Sequence, residues 1–457
     1  MAQVNPIPIS HAPRRRWFYG WNIVGLSFIA SAMSMGVSAY TLGVFMRPMG
    51  EDLGWSRAMI SGTQSVSTFT NGLLAPLVGP VLDRRGGKAL MIVGAAVSGA
   101  ALICLSFVQH LGGFYLFRGV IFTLGQLGMG SLVINVTLAN WFVRKRGRAI
   151  AIGAMGISVA AMTLPPLCER LIATYGWRTA WVTLGILIWV LVIPAAALIM
   201  RRRPEDMGLQ PDGDPDPAQP ATTHERGSTT RVTEAARSRD AVWTRRAAIR
   251  TSALWLIISA FGLASMGMGA MLLHLVPFLE DSGHSAAAAA GAVTALGVAG
   301  LLSKPVWGIL IDRYPVRSCA MVEFLICGSA IGAILAAGNA GSLVLAYLAT
   351  FYFGVGIGGV ITVNEVVWAN YFGRLTLGAV RSIGIPFQII SSAGGPLLAG
   401  ITYDRTGSYQ SAFLLFIATY LLATVLIALV RPPRPPDTAE RPKWQPSPPA
   451  TPQPSSI

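Results

Sequence analysis

Long apolar stretches alternate with short polar ones from about residue 20 to residue 430. Most reach about 20 residues or more, the length an α-helix needs to cross the hydrocarbon core of a bilayer. The pattern predicts twelve transmembrane helices, over 20–47, 57–81, 89–108, 111–140, 149–170, 177–200, 252–279, 286–310, 318–338, 341–368, 377–401 and 409–430. Hydrocarbon offers no partner to backbone N–H and C=O groups, so each span must satisfy its own bonds as a helix. The expected fold is an all-α polytopic membrane protein with an N-terminal tail (1–19), a six-helix half (20–200), a linker (201–251), a second six-helix half (252–430) and a disordered tail (431–457).

The two halves carry the same polar marks. Asp83, Arg84 and Lys88 follow one apolar stretch, and Asp312, Arg313 and Arg317 follow another 229 residues later. The same offset takes Pro48, Asp52, Gly54 and Ser56 to Pro277, Asp281, Gly283 and Ser285. A duplicated set of helices with cationic loops on one side suits two bodies that rock about a central site.

Charge sets the orientation. With the N-terminus in the cytoplasm, 27 of the 35 Lys and Arg residues fall in cytoplasmic segments, 5 fall outside and 3 lie within spans. That is the positive-inside pattern, and an even number of spans puts both termini on the cytoplasmic side. The net charge of +15 belongs to helix ends, not to a basic domain, so nucleic acid is not an expected partner. Mean hydropathy is +0.55, and only 12% of residues are charged, about half the share usual in soluble proteins. The four cysteines lack the spacing of a metal site or a disulfide framework. The linker carries ten arginines, and its end, Trp243 to Arg250, is expected to form a short surface helix.

Gly79 to Lys88 reads GPVLDRRGGK, and Gly308, Asp312, Arg313 and Arg317 repeat its outline. This loop resembles the signature between the second and third helices of the major facilitator superfamily. The resemblance covers about residues 20–430 and implies two pseudo-symmetric six-helix halves. Tyr19-Gly20-Trp21 opens span 1, Trp141-Phe142 with Arg146, Gly147, Ala149 and Gly153 opens span 5, and Lys304-Pro305 lies in span 8. Those three features resemble the monocarboxylate transporter branch and its bacterial oxalate/formate exchanger relatives. The resemblance implies secondary active transport of a small organic anion, a monocarboxylate, by alternating access. Proton symport and anion exchange both remain open, as does a carrier or efflux pump for another class of small molecule. A bacterial inner membrane is the expected location. No enzyme chemistry, metal or cofactor is expected, and no helper protein is identified.

Charge pairs in the duplicated loops make Asp83, Arg84, Lys88, Asp312, Arg313 and Arg317 candidates for gating. Among substrate-binding candidates Lys304 stands first. An ammonium about 12 Å deeper than Asp312 along a helix is costly unless it meets a cavity, a partner or substrate. The resemblance implies a carboxylate-binding cation here, an arginine in relatives; a structural ion pair is the alternative. Arg381 in span 11 fits a gate or a substrate contact equally. Arg118 begins a glycine-rich pattern in span 4; it either faces the cavity or bonds carbonyls between helices. His274 binds an anion, titrates or simply packs. Tyr40 and Asn364 are cavity donors or polar ties between helices. Glu323 and Glu365 are the candidates for proton coupling, with partnership to an arginine as the competing role. Animal proton-coupled relatives place an aspartate four residues before the span-8 cation, and this chain has Gly300 there.

Overall fold

The structure is a computed structural model that describes residues 18–143, 145–213, 243–372 and 377–433, without the side chains of residues 79–81, 83–85, 361 and 377–379. Most of the linker and of the C-terminal tail, and the side chains of the gating candidates Asp83 and Arg84, therefore lie outside the described residues.

Among the described residues every regular element is a helix. The first, α1, runs from Gly20 to Leu53 in consecutive segments: Gly20–Ser31, a π-helical turn Ala32–Gly36, Val37–Tyr40 and Leu42–Leu53. Helix α2 is Arg57–Arg85 and α3 is Gly87–Leu105. Helix α4 is Leu111–Trp141, with a second π-helical stretch at Tyr115–Ile121 and a break at Gly130. The run Arg146–Ile199 holds α5 and α6, separated at Gly176, where φ is 83°. The second half follows as α7 Ser252–Asp281, α8 Ala286–Arg313, α9 Val316–Asn339, α10 Leu343–Phe372, α11 Leu377–Thr406 and α12 Gln410–Leu429. The expected short helix before α7 is Arg245–Ile249, and Trp243 anchors its entry against Phe372 with ring centroids 5.4 Å apart.

By length and composition alone, ten helices among the described residues can cross a membrane. The 54-residue run counts there once although it turns at Gly176 into two spans. The other shortfall is α2, whose 29 residues are long enough but include Ser61, Gln64, Ser67 and Asn71. Ser61 and Ser67 are buried, so these polar groups face protein rather than lipid. Twelve passes result, with large apolar side chains such as Phe107, Val190, Leu198 and Leu348 on the outside, where lipid would cover them.

The duplication is visible in the caps. Ser56 accepts from the Met59 amide at the start of α2, and Ser285 accepts from the Ala288 amide at the start of α8. Each side-chain oxygen satisfies one amide that the helix itself leaves unbonded. Gly54 and Gly283, at φ of 67° and 89°, make the turns before those caps. The halves meet chiefly along α2 against α11 and α5 against α8. The repeat exchanges α2 with α8 and α5 with α11, so the two contacts are counterparts of each other.

Small residues at the start of α5 set how near it comes to α1. A Cβ added to Gly156 would stand 2.0 Å from the Phe28 carbonyl oxygen and 3.2 Å from the Ala32 amide nitrogen. Backbone atoms cannot swing aside as a side-chain tip can. Gly156→Val is therefore expected to force α1 and α5 apart and to destabilise the protein by about 1–3 kcal/mol, the usual cost of overpacking. Thermal unfolding of the purified protein in detergent checks this, and an unchanged Tm would refute the close-packing role.

Candidate functional site

The ends of α1, α7 and α11 and the starts of α2 and α12 converge at one end of the bundle. Arg57, the first residue of α2, reaches across to the other half. Its Nη1 and Nη2 donate to the two carboxylate oxygens of Asp281 at 2.6 and 2.7 Å, and Nη1 also donates to the Tyr409 hydroxyl at 2.7 Å. The guanidinium lies 3.8 Å from the centroid of the Tyr403 ring. Asp404 accepts from the backbone amides of Arg57 and Ala58 at 3.0 and 2.9 Å. A carboxylate from one half thus caps the positive end of a helix in the other. Gly400 permits this approach, since a Cβ there would stand 2.8 Å from the Ala58 Cα.

His274 extends the same tie inward. Its Nε2 lies 2.9 Å from the Pro396 carbonyl oxygen and 3.1 Å from the Ser61 hydroxyl, and its Nδ1 lies 2.9 Å from the Tyr409 hydroxyl. A carbonyl can only accept, so the proton belongs on Nε2, and Nδ1 then accepts from Tyr409. Both ring nitrogens are engaged, and the ring acts as a tie between α2, α7, α11 and α12. Ser65 adds another link, donating to the Ala393 carbonyl at 2.6 Å.

The duplicated aspartate is used differently in the first half. Asp52, the counterpart of Asp281, accepts from Arg178 at 2.6 Å and from the Trp177 indole at 3.2 Å, all within its own half. The Arg178 hydrogen bond, helped by Trp177, holds the Asp52 carboxyl below the usual carboxylate range.

Deeper along α2 and α11 lies a cavity of about 380 Å³. Its polar wall includes Ser38 of α1, Gln64, Ser67 and Asn71 of α2, and Gln126 of α4, faced by Ile385 and Ile389 of α11. Lys304 is not on this wall; it lies where α8 crosses α5 and donates to the Ser158 hydroxyl of the opposite half at 2.8 Å. Among the described residues no carboxylate lies within ion-pair distance of Lys304. Ala75, its counterpart in the repeat, does line the cavity.

The remaining candidates take the following places. Arg118 is fully buried in the π-helical stretch of α4, where its Nη2 donates to the Ser38 carbonyl at 3.1 Å. Arg381 pairs with Glu365 at 2.5 Å, joining α11 to α10. Tyr40 is buried in α1. Asn364 accepts from the Trp368 indole at 2.9 Å. Glu323 is buried in α9 beside a small cavity that it shares with Asn364 and Tyr420, and its Oε2 has no hydrogen-bond partner among the described residues. Lys88, Asp312 and Arg313 are exposed at the opposite end from Arg57, and Arg317 donates to the Val430 carbonyl at 3.2 Å.

Sequence reading did not anticipate the Arg57 cluster, Ser158 or the Gln64 and Gln126 amides. A signal existed for the first. Arg57 follows a duplicated cap serine, whereas its counterpart after Ser285 is Ala286. That break in the repeat marks a cation with a task in one half only.

The comparisons agree with this architecture. The family model of the Major Facilitator Superfamily matches residues 26–384, and again residues 292–455. Monocarboxylate transporter 12 of Mus musculus is 24% identical over 452 residues, covering 94% of this chain and 89% of the relative. Monocarboxylate transporter 3 of Rattus norvegicus is 27% identical over 422 residues, covering 90% and 79%. An uncharacterized MFS-type transporter of Bacillus subtilis is 23% identical over 430 residues, covering 92% and 95%. With twelve membrane-spanning helices among its described residues, duplicated halves and a family match over most of its length, the chain belongs to the Major Facilitator Superfamily of multi-pass membrane transporters.

Proposed function

We propose that the protein carries a small organic anion, a monocarboxylate, by alternating access, as proton symport or anion exchange. The observation that carries this reading is Lys304. An ammonium deep in a span, bonded to a neutral hydroxyl of the opposite half and without a carboxylate partner among the described residues, suits an anionic substrate. The names of the relatives, monocarboxylate transporters of mammals, support the substrate class. In this reading the protein sits in a bacterial inner membrane with both termini in the cytoplasm. The Arg57 end then faces outward, and the structure represents the state closed on that side. Glu323 is the stronger candidate for a coupled proton, because Glu365 is committed to Arg381.

Uptake into proteoliposomes tests the substrate role, using labelled lactate, pyruvate, acetate, formate, oxalate and benzoate. The assay is run with and without an inward proton gradient, and with and without internal unlabelled substrate. Lys304→Ala is expected to cut carboxylate uptake at least tenfold while leaving the protein folded, and Lys304→Arg is expected to keep part of it. Near-normal uptake by the alanine variant would remove Lys304 from the site.

The Arg57–Asp281 pair provides a test of the gate. Charge-assisted hydrogen bonds of this kind contribute about 1.5–3 kcal/mol. Asp281→Asn is expected to shift the population toward the state open at that end by about tenfold or more. Distances between spin labels at positions 51 and 284, on opposite halves, should then show a longer component. Exchanging the two charges in Arg57→Asp/Asp281→Arg should restore much of the short component, and a distribution unchanged in Asp281→Asn would refute the gate.

A further inference from the structure

Among the described residues, several buried polar atoms without a hydrogen-bond partner belong to α1, α2 and α4, the helices that form the polar wall of the 380 Å³ cavity. They are Arg118 Nε and Nη1, Gln64 Oε1, Ser34 Oγ and Thr123 Oγ1. Native proteins seldom leave such groups unbonded, and a cluster of them asks for a ligand or ordered water. The charged member of the set is a guanidinium with no exposed surface. Among the described residues no carboxylate lies within ion-pair distance of it. A buried cation without a counter-charge is costly, and an anion at that place offsets the cost.

The backbone is shaped around the same point. Ser34 lies in the π-helical turn of α1, and Arg118 lies in the π-helical stretch of α4. Such wide turns cost hydrogen-bond geometry and occur often at functional sites. The two are joined through side chains that border the cavity. Arg118 Nη2 donates to the Ser38 carbonyl, the Ser67 hydroxyl donates to the Arg118 carbonyl at 3.2 Å, and Gln126 Nε2 donates to the Ser34 carbonyl at 3.1 Å. Ser38, Ser67, Gln64 and Gln126 all line the cavity. One hydrogen bond fixes the guanidinium, and two of its nitrogens remain to donate.

We propose that Arg118, with Ser34, Gln64 and Gln126 around it, forms a second oxyanion subsite in the N-terminal half, separate from Lys304 in the C-terminal half. The oxyanion comes from the carboxylate of the substrate or from an inorganic ion that accompanies it. The carboxylate source rests on the function proposed above; the inorganic source does not. Because Lys304 belongs to α8 and Arg118 to α4, the protein presents one cation to the transport path from each half.

The test is anion binding to the purified full-length protein, followed by thermal shift at constant ionic strength. Acetate, lactate and pyruvate make one arm, and phosphate and sulfate make the other. Wild-type protein, Arg118→Gln, Arg118→Lys and Lys304→Ala are compared. Wild-type protein is expected to bind at least one of these anions, and Arg118→Gln to bind it at least tenfold more weakly. Arg118→Lys should recover part of the loss, since it restores charge but not the planar donors. A component lost in Arg118→Gln but kept in Lys304→Ala establishes a separate subsite. Loss confined to the carboxylates assigns it to substrate, and loss confined to phosphate or sulfate assigns it to a co-ion. Phosphate or sulfate binding through Arg118 with no carboxylate binding supports the subsite and sinks the carboxylate reading alone. Equal binding by wild type and Arg118→Gln, or no binding of any of the five anions by wild type, overturns the subsite. If Arg118→Gln does not fold, Gln126→Leu and Ser34→Ala replace it; each is expected to weaken binding about threefold, and unchanged affinity in both overturns the proposal.

Discussion

A helix surrounded by hydrocarbon must bond its own backbone and turn every other polar group inward. That constraint arranges the rest of this molecule. The outer surfaces carry Phe107, Val190, Leu198 and Leu348, and the hydroxyls and amides of α2 face other helices. Once the polar groups are gathered inside, the question for each is what partner it finds there. Most find a carbonyl one turn back, as Thr41, Thr137 and Thr424 do. Ser61, Ser65, Thr294 and Lys304 reach partners in the opposite half, and that boundary is where a transporter's work must be done.

The duplication supplies the scaffold, and its breaks supply the task. Both copies keep a left-handed glycine and a cap serine before a long helix, because any such helix needs its first amides satisfied. The copies part company at Arg57 and Ala286, at Lys304 and Ala75, and in the use made of Asp52 and Asp281. In one half the aspartate fastens α1 to α6 through Arg178; in the other it fastens the half to its neighbour through Arg57. A pair inside a half moves with that half and is indifferent to rocking. A pair across halves breaks when they separate, so only the second weights one conformation against the other.

The fold was legible because its signals are local. Apolar length located the spans, repeated polar marks located the loops, and small residues before Gly156 foretold the close approach of α1 and α5. Even α2, whose hydroxyls and amides lower its hydropathy, was recognisable from its length and its place in the repeat. Arg381 and Glu365 were each foreseen with two roles, and their pairing follows from the packing of α10 on α11. The Arg57 cluster was not legible, since it depends on which helix ends meet. Three stretches far apart in sequence, around residues 57, 281 and 403–409, contribute to it, and no spacing encodes that. The π-helical turns were hidden for a related reason: an extra residue in a turn is stabilised by what packs against it, and Ser34 and Arg118 carry no mark of it in the chain.

In the proposed cycle, Lys304 and the Arg57 cluster stand in different relations to movement. The Arg57 cluster is saturated: Asp281, Asp404, Tyr403 and Tyr409 meet the guanidinium and the start of α2 from several sides. Opening that end requires all of these to part together, which favours two discrete states over a continuum. Lys304 is the opposite case, an ammonium with a single neutral acceptor on the opposing half. When α5 and α8 move apart it loses that acceptor, and a carboxylate is a stronger replacement. Binding of an anion there compensates the cost of separation at the level of Ser158, while the Arg57 end resists separation at its own level. The neighbouring bond from Thr294 to the Met162 carbonyl lies between Lys304 and the Arg57 end, so a carrier assembled from these contacts would part at the Arg57 end more readily with substrate than without it.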